Sequence, residues 1–188
     1  MMDLTRTAVI IIDMQLDFVG EAAVIPCKGS ENIIPNIKKL TDFCHRNRIP
    51  VIYTQEAHRA NYIDFGRELD GDEPVHCLEG SRGIEIIPEL APASRDYVIM
   101  KRRYSGFFQT DLQILLSGLK VDTLVITGAA TDVCVRATAT DAQQYGYYVY
   151  VPRDCVAGTT PARHEAALEN IRYLFGKVIN LSDILEIA

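Results

Sequence analysis

The chain has 188 residues, of which 48% are hydrophobic and 23% are charged, and its formal net charge is -6. This length predicts one domain over residues 1–188, with a core that buries most of the surface an unfolded chain exposes. The acidic balance argues against nucleic acid or an anionic membrane surface as a partner.

Short apolar runs alternate along the chain with stretches whose apolar residues have helical spacing. The β-branched runs predict six strands, at residues 7–13, 50–55, 96–101, 122–128, 147–154 and 177–181. The helical spacing predicts four helices, at residues 30–47 with Ser30 as the cap, 110–119, 134–146 with Gly146 as the stop, and 160–176. Strands that alternate with helices predict an α/β fold, with a parallel sheet covered on both faces.

The five cysteines are odd in number and form no CxxC pair. This pattern favours free thiols over a disulfide framework or a zinc ribbon. The N-terminus has an acidic residue and no small-residue cleavage pattern, so no signal peptide is expected. No apolar run approaches the roughly 20 residues that span a bilayer. Together these features predict a protein of the reducing cytoplasm, without a membrane partner.

Several polar residues follow the predicted strands directly. They are Asp13, Gln55, Glu56, Lys101 and the turn at 128–134. Because ligands of parallel sheets bind beyond the carboxyl ends of the strands, we expect these residues to share one rim. The segment 57–94 is rich in Gly, Pro and charge, and is expected to be an irregular insertion that walls this rim.

Cys134 follows a Gly-Ala-Ala turn at the predicted start of a helix. The N–H groups and the positive dipole end of a helix favour a thiolate there, and can hold an oxyanion. The alternative is that Cys134 is a small buried packing residue. Lys101 and Asp13 at the same rim would complete a hydrolase, in which lysine lowers the pKa of the thiol and aspartate carries the proton.

Five blocks of sequence carry a family resemblance, and they occur in the order VIIIDMQLDF, VIYTQEAH, KRRYSGFFQTDL, VITGAATDVCVRATATDA and YYVYVPRDCVAG. On these blocks the chain resembles the isochorismatase-like cysteine hydrolases, the family of nicotinamidase and N-carbamoylsarcosine amidase. The resemblance implies a three-layer α/β/α, Rossmann-like domain with a six-stranded parallel sheet, assembled as a homodimer or homotetramer. It also implies a catalytic set of Asp13, Lys101 and Cys134. A cis peptide between Ala129 and Ala130 is implied as well, with an oxyanion hole made by the N–H groups of Ala130 and Cys134.

The implied reaction passes through a thioester on Cys134 and requires no cofactor. Isochorismatases proper cleave a vinyl ether and lack the cysteine, so its presence favours C–N cleavage. The predicted substrate is a small amide or N-carbamoyl (ureido) compound, and the product is ammonia or an amine. Nicotinamidase is the alternative within the family. A binding protein that kept the fold and lost turnover is the alternative of another class.

A metal site is also implied by the resemblance. In nicotinamidases an Asp-x-His pair and a later His before Cys bind a divalent metal, and the corresponding residues here are Glu56, His58 and His76. Glu replaces Asp, which lengthens one ligand arm by a methylene. Two imidazoles and a carboxylate suit zinc or iron, whereas histidines in a loop that are only solvated would be the alternative.

Three further residues are predicted to line the substrate pocket. Phe18 and Tyr104 match aromatic pocket positions of the family, although either could equally be core packing. Glu73 stands where nicotinamidases have the tryptophan that stacks on the pyridine ring, and the chain has no tryptophan. A more polar pocket of this kind favours a ureido or carbamoyl group over a flat heteroaromatic amide.

Overall fold

Seven strands form one parallel sheet in the computed structural model, which describes residues 2–187. They are β1 (Thr7–Ile12), β2 (Val51–Glu56), β3 (Tyr97–Lys101), β4 (Thr123–Ala129), β5 (Tyr148–Pro152), β6 (Val156–Ala157) and β7 (Lys177–Ile179). The order across the sheet is β3-β2-β1-β4-β5-β7, and every pair is parallel. The short strand β6 pairs with β4 at Gly128 and Ala129, where β4 has passed the end of its pairing with β5. The predicted parallel α/β sheet is confirmed, with β6 added.

Five helices pack on this sheet. They are α1 (Ser30–Asn47), α2 (Leu112–Leu119), α3 (Arg136–Gln144), α4 (Pro161–Asn170) and α5 (Leu181–Leu185). A π-helical turn, Thr131–Val135, precedes α3, and another, Ile171–Phe175, follows α4. The four predicted helices are present, whereas the five-residue α5 was not predicted because it is too short to show a period. No helix within residues 2–187 combines the length and the apolar character needed to cross a bilayer.

Of two predicted helix ends, the start of α1 differs from the prediction and the end of α3 agrees with it. Ser30 is not the cap of α1: Gly29 occupies that position at φ +81°, and the Ser30 hydroxyl instead accepts a hydrogen bond from the backbone N–H of Gly20. Gly146, at φ +86°, directly follows the last turn of α3, as predicted. A left-handed residue commonly ends a helix, and glycine adopts it without a steric penalty.

The core is divided into two halves by the sheet. Val9 and Ile11 of β1 pack in the half that contains α1 and α5, whereas Ile10 and Ile12 pack in the half that contains α2, α3 and α4. Side chains of a strand alternate between the two faces of a sheet, so a continuous apolar run is needed where both faces are covered. The apolar runs of β1 and β4 therefore produce the three-layer α/β/α arrangement.

The ends of β1 and β4 approach each other closely at Gly128. This glycine pairs with Ile12, has φ +102°, and would overlap the Ile12 carbonyl oxygen if it carried a Cβ. Only glycine allows both the left-handed conformation and this approach. The chain leaves β1 directly after that contact, through Asp13 at φ +46°. Asp13 is thereby placed at the carboxyl edge of the sheet, beside the loop that follows β4.

Candidate active site

Lys101, the last residue of β3, is the centre of a fully buried cluster. Its Nζ lies 2.7 Å from Asp13 Oδ2, 2.6 Å from Glu56 Oε2 and 3.6 Å from Cys134 Sγ. The ammonium donates hydrogen bonds to Glu56 and Cys134, whereas its contact with Asp13 is an ion pair. The structure thus brings Asp13, Lys101 and Cys134 together from the ends of β1, β3 and β4, and adds Glu56 from the end of β2.

Asp13 is held by Thr54, a residue that sequence reasoning missed. The Thr54 hydroxyl donates to Asp13 Oδ1 at 2.6 Å, and its oxygen faces the Asp13 backbone N–H at 3.2 Å. Asp13 Oδ2 has no aligned hydrogen-bond donor among the described residues, and its contact with Lys101 is one of opposite charges. Oδ2 is therefore the oxygen with the capacity to accept a proton. A threonine in the middle of an apolar strand was the only sequence signal for Thr54.

The ionisation states of this cluster follow from burial and mutual charge. Burial raises the pKa of Asp13 above its usual value, and the Lys101 ammonium offsets only part of that rise. Burial would lower the pKa of Lys101, but the neighbouring Asp13, Cys134 and Glu56 hold it well above its usual value. Lys101 therefore stays charged, while Asp13 is more basic than an exposed aspartate.

The pKa of the Cys134 thiol shifts in the opposite direction to the one predicted from a position at a helix start. Burial raises the pKa of Cys134 well above its usual value; Lys101 opposes this rise, whereas Asp13 and Glu56 add to it. Lys101 lowers the pKa of the thiol, as expected, but the net shift of the pKa is upward because the sulfur is desolvated and faces two carboxylates as well as the ammonium. This rise in pKa favours the protonated thiol over the thiolate.

Cys134 lies within the π-helical turn Thr131–Val135 rather than at the first residue of α3. The peptide bond between Ala129 and Ala130 is cis, and the Ala130 carbonyl accepts hydrogen bonds from the N–H groups of Val133 and Val135 at 3.1 Å each. Ala130 and Cys134 are the residues implied for the oxyanion hole, and both line one cavity of about 190 Å³.

Glu56 links this cluster to two buried histidines. Glu56 Oε1 lies 3.2 Å from His58 Nε2 and 3.0 Å from His76 Nε2. Glu68 approaches the same nitrogens, at 3.9 Å from His58 and 3.7 Å from His76. The four side chains could together hold a metal ion. Sequence reasoning missed Glu68, because it lies in the irregular segment 57–94, where spacing gives no guide to position.

The His76 ring is oriented as metal-binding histidines commonly are, and the His58 ring is held by stacking. His76 Nδ1 lies 2.8 Å from the Pro74 carbonyl oxygen, so that nitrogen carries a hydrogen and Nε2 faces the carboxylates. The ring of Phe65 stacks on His58 with a centroid distance of 3.8 Å and an interplanar angle of 16°. His58 Nδ1 is buried without a hydrogen-bond partner among residues 2–187.

The donor set fits a divalent cation on charge as well as on ligand type. Asp13 and Glu56 share one permanently charged partner, Lys101, whereas Glu68 faces only the two histidines among its ion pairs in residues 2–187. Buried excess negative charge of this kind requires compensation. Burial would lower the pKa of His76, but Glu56 and the Pro74 carbonyl raise it above its usual value. An imidazolium or a metal ion would therefore be stabilised there, and two imidazoles with carboxylates suit zinc or iron.

A cavity of about 190 Å³ opens onto these groups. All three residues predicted for the pocket line it: Phe18 is nearly buried, Glu73 is exposed, and Tyr104 is 40% exposed. Asp13 and Cys134 line it as well. Glu68, Glu73 and His76 of the segment 57–94 form part of its wall, as predicted. The cavity is smaller than sites for drug-sized ligands, so its size favours a compact substrate.

Comparison with known proteins places the chain in a family. The sequence model of the Isochorismatase domain matches residues 7–183. A probable inactive nicotinamidase of Arabidopsis thaliana is 34% identical over 184 residues, covering 95% of this chain and 94% of the relative. N-carbamoylsarcosine amidase of Arthrobacter sp is 31% identical over 186 residues, covering 96% of this chain and 70% of the relative. The pyrazinamidase of Pyrococcus horikoshii, solved in complex with zinc, superposes with a TM-score of 0.85 at 34% identity, covering 93% of this chain and 99% of that one.

The fold is the three-layer α/β arrangement that isochorismatase-like hydrolases share. The chain belongs to the isochorismatase family, whose members are in general hydrolases that act on C–N or related bonds.

Proposed function

We propose that the protein is a cysteine-dependent amidohydrolase that cleaves the C–N bond of a small amide or N-carbamoyl compound. The observation that carries the proposal is the contact of one buried ammonium, Lys101, with both Asp13 and Cys134 at the floor of the cavity. A nucleophile, a proton acceptor and a fixed positive charge are the groups that such a reaction needs.

In the first half-reaction the Cys134 sulfur attacks the substrate carbonyl carbon, and the thiol proton passes to Asp13. The raised pKa of Asp13 suits it to hold that proton. The oxyanion would lie against the N–H groups of Ala130 and Cys134. Asp13 then returns the proton to the leaving nitrogen, the C–N bond breaks, and ammonia or an amine departs while a thioester remains.

In the second half-reaction water attacks the thioester carbonyl. Asp13 takes a proton from the water, and this proton returns to the Cys134 sulfur as the C–S bond breaks. The acyl product leaves as a carboxylic acid, or as a carbamic acid that loses carbon dioxide when the substrate is a ureido compound. Lys101 keeps its proton throughout, and its charge stabilises Asp13 and the sulfur when either is anionic.

Glu73 supports the carbamoyl class of substrate. It lines the cavity at the position where the resemblance places the stacking tryptophan of nicotinamidases, so the wall there carries a hydrogen-bond acceptor instead of an aromatic face. A ureido group offers N–H donors to such an acceptor. Nicotinamidase stays as a second candidate, because the histidine pair His58 and His76 is retained and meets at one point.

A divalent metal would be held by Glu56, His58 and His76, with Glu68 as a fourth donor, and when bound it would supply positive charge at the cavity wall. The chemistry proposed for Asp13, Lys101 and Cys134 does not depend on this metal. We expect small-molecule substrates and copies of this chain to be the partners, as the family resemblance implies.

The test is ammonia release in one assay from N-carbamoylsarcosine, ureidoacrylate, biuret and nicotinamide, with a Cys134→Ala variant as the control. Release from a ureido substrate that disappears in the variant is expected. Preference for nicotinamide would favour the second candidate. Turnover that survives in Cys134→Ala would exclude the cysteine mechanism, and binding of these compounds without any turnover would indicate a binding protein.

A further inference from the structure

Gln15 is fully buried, and its carboxamide has four hydrogen-bond contacts. Two of them hold the backbone of Glu56, and the other two are to the Ile84 carbonyl and, at 3.6 Å, to Cys77 Sγ. Gln15 Oε1 accepts from the Glu56 N–H at 2.8 Å, and Gln15 Nε2 donates to the Glu56 carbonyl at 2.8 Å. The same Nε2 donates to the Ile84 carbonyl at 3.0 Å. The reversed orientation of the amide would place its oxygen against two carbonyl oxygens, so only one orientation satisfies the site.

These contacts occupy the place of a missing strand partner. β1 and β2 pair only as far as Ile11 and Tyr53, because the chain turns away from β1 at Asp13. Glu56 lies three residues further along β2, and on its other side it is paired with Lys101 of β3. A carboxamide offers the same N–H donor and C=O acceptor as a peptide group, and Gln15 presents both to the free side of Glu56.

The carboxylate of Glu56 depends on that backbone position. One of its oxygens lies 2.6 Å from Lys101 Nζ, and the other lies 3.0 Å from His76 Nε2. A carboxylate that must contact a separate partner with each of its oxygens tolerates little movement of the Cα that carries it. The backbone of Glu56 is fixed on the Lys101 side by the sheet, and on the β1 side by Gln15.

We propose that Gln15 is a positioning residue, which substitutes for a strand and so holds Glu56 where its carboxylate joins Lys101 to the histidine pair. The consequence for catalysis rests on the amidohydrolase function proposed above. The consequence for metal binding does not, because it concerns only the donor set of Glu56, His58 and His76.

The test compares Gln15→Met and Gln15→Glu with Gln55→Met. Methionine keeps the length of glutamine without its hydrogen bonds, whereas glutamate keeps the shape but directs oxygens at the Glu56 and Ile84 carbonyls. Gln55 is a matched control, because it is not among the residues that line the cavity, contrary to what its place at the expected rim suggested. Its Nε2 donates to the same Ile84 carbonyl at 2.6 Å, and its side chain bonds nothing else in the described part of the chain. The measurements are the zinc dissociation constant of metal-free protein, by competition with a chromogenic chelator, and kcat and KM on the best substrate of the panel.

Both Gln15 variants are expected to bind zinc about 10–100-fold more weakly, as is usual when a group that orients a ligand is lost. We expect kcat to fall at least about tenfold with KM little changed, because ground-state binding is not affected. Gln55→Met should match the wild type in both. Melting curves identify variants that are folded at the assay temperature, and Gln15→Glu serves if Gln15→Met does not fold.

Wild-type zinc affinity together with wild-type kcat in a folded Gln15 variant would overturn the proposal, and so would equal losses in Gln55→Met. If the wild type turns over none of the panel, the proposed function fails while the zinc comparison still decides on Gln15. If the wild type binds no zinc, kcat decides instead. If the wild type neither binds zinc nor turns over any substrate of the panel, both proposals fail.

Discussion

Glu56 and Lys101 are neighbours in two respects, as partners in the register of the sheet and through the contact of their side chains. They are register partners at the ends of the neighbouring parallel strands β2 and β3, and Glu56 Oε2 lies 2.6 Å from Lys101 Nζ. The sheet therefore fixes the separation of the two Cα atoms that carry these charged side chains. Both are fully buried, so neither charge has water as an alternative partner.

Replacement of Lys101 by methionine is expected to lower the free energy of unfolding at pH 7 by about 3–5 kcal/mol, because Asp13 and Glu56 would be left as buried carboxylates without a cation. Urea unfolding measures this loss. Lys38→Met on the exposed face of α1 is the control, and should change stability little. A Lys101→Met protein as stable as the wild type would show that the two carboxylates are not both charged.

Replacement of Cys134 by alanine is expected to reduce ammonia release by about 10⁴-fold or more, because the thioester would form on Cys134, the thiol that contacts Lys101. Cys44→Ala is the matched control: Cys44 is also fully buried, but it packs in α1 on the opposite face of the sheet from Cys134. Its loss should reduce stability and leave turnover per folded molecule unchanged. Equal losses of turnover in the two variants would contradict the assignment of Cys134 as nucleophile.

The fold was predictable because its strongest signals are local. The runs of β1 and β4 are mostly apolar and are buried over their whole length, since both faces of the sheet are covered. The positions of Asp13, Lys101 and Cys134 followed from the rule that strand ends meet at one edge, together with the family resemblance. Short elements such as α5 and β6 contain too few residues to show a period.

The parts that could not be predicted depend on distances across the fold. Glu68 joins the histidines from a segment without strands or α-helices. Thr54 and Gln15 act through contacts with residues 41 positions away. The sign of the Cys134 pKa shift depends on the balance between one ammonium, two carboxylates and burial, which no spacing in the sequence encodes.

Replacement of Thr54 by valine is expected to reduce kcat by about tenfold, because Asp13 loses the donor that fixes Oδ1 and leaves Oδ2 free for the proton. The backbone N–H of Asp13 also loses its partner, so we expect a loss of about 1–3 kcal/mol in the free energy of unfolding. Thr41→Val is the control, since the Thr41 hydroxyl donates only to the Lys38 carbonyl within α1 among the described residues. Steady-state kinetics on both variants, at equal folded fraction, measure the effect. An unchanged kcat in Thr54→Val would mean that the orientation of Asp13 does not limit the reaction.

The donor set of Glu56, His58, Glu68 and His76 leads to a prediction about metal content. Protein made without added metal and without a histidine tag is expected to contain about one equivalent of zinc or iron, because two imidazoles and two carboxylates converge on one buried point. Inductively coupled plasma mass spectrometry measures this metal content. His76→Ala should remove the metal, and Glu68→Gln should weaken its binding about tenfold or more, because one anionic donor is lost. His45→Ala is the control, as His45 lies on α1 and pairs with Asp96 instead. Metal-free wild type that also takes up no added zinc would show that the buried charge is compensated by an imidazolium, with Glu56 and His76 as its ion pair.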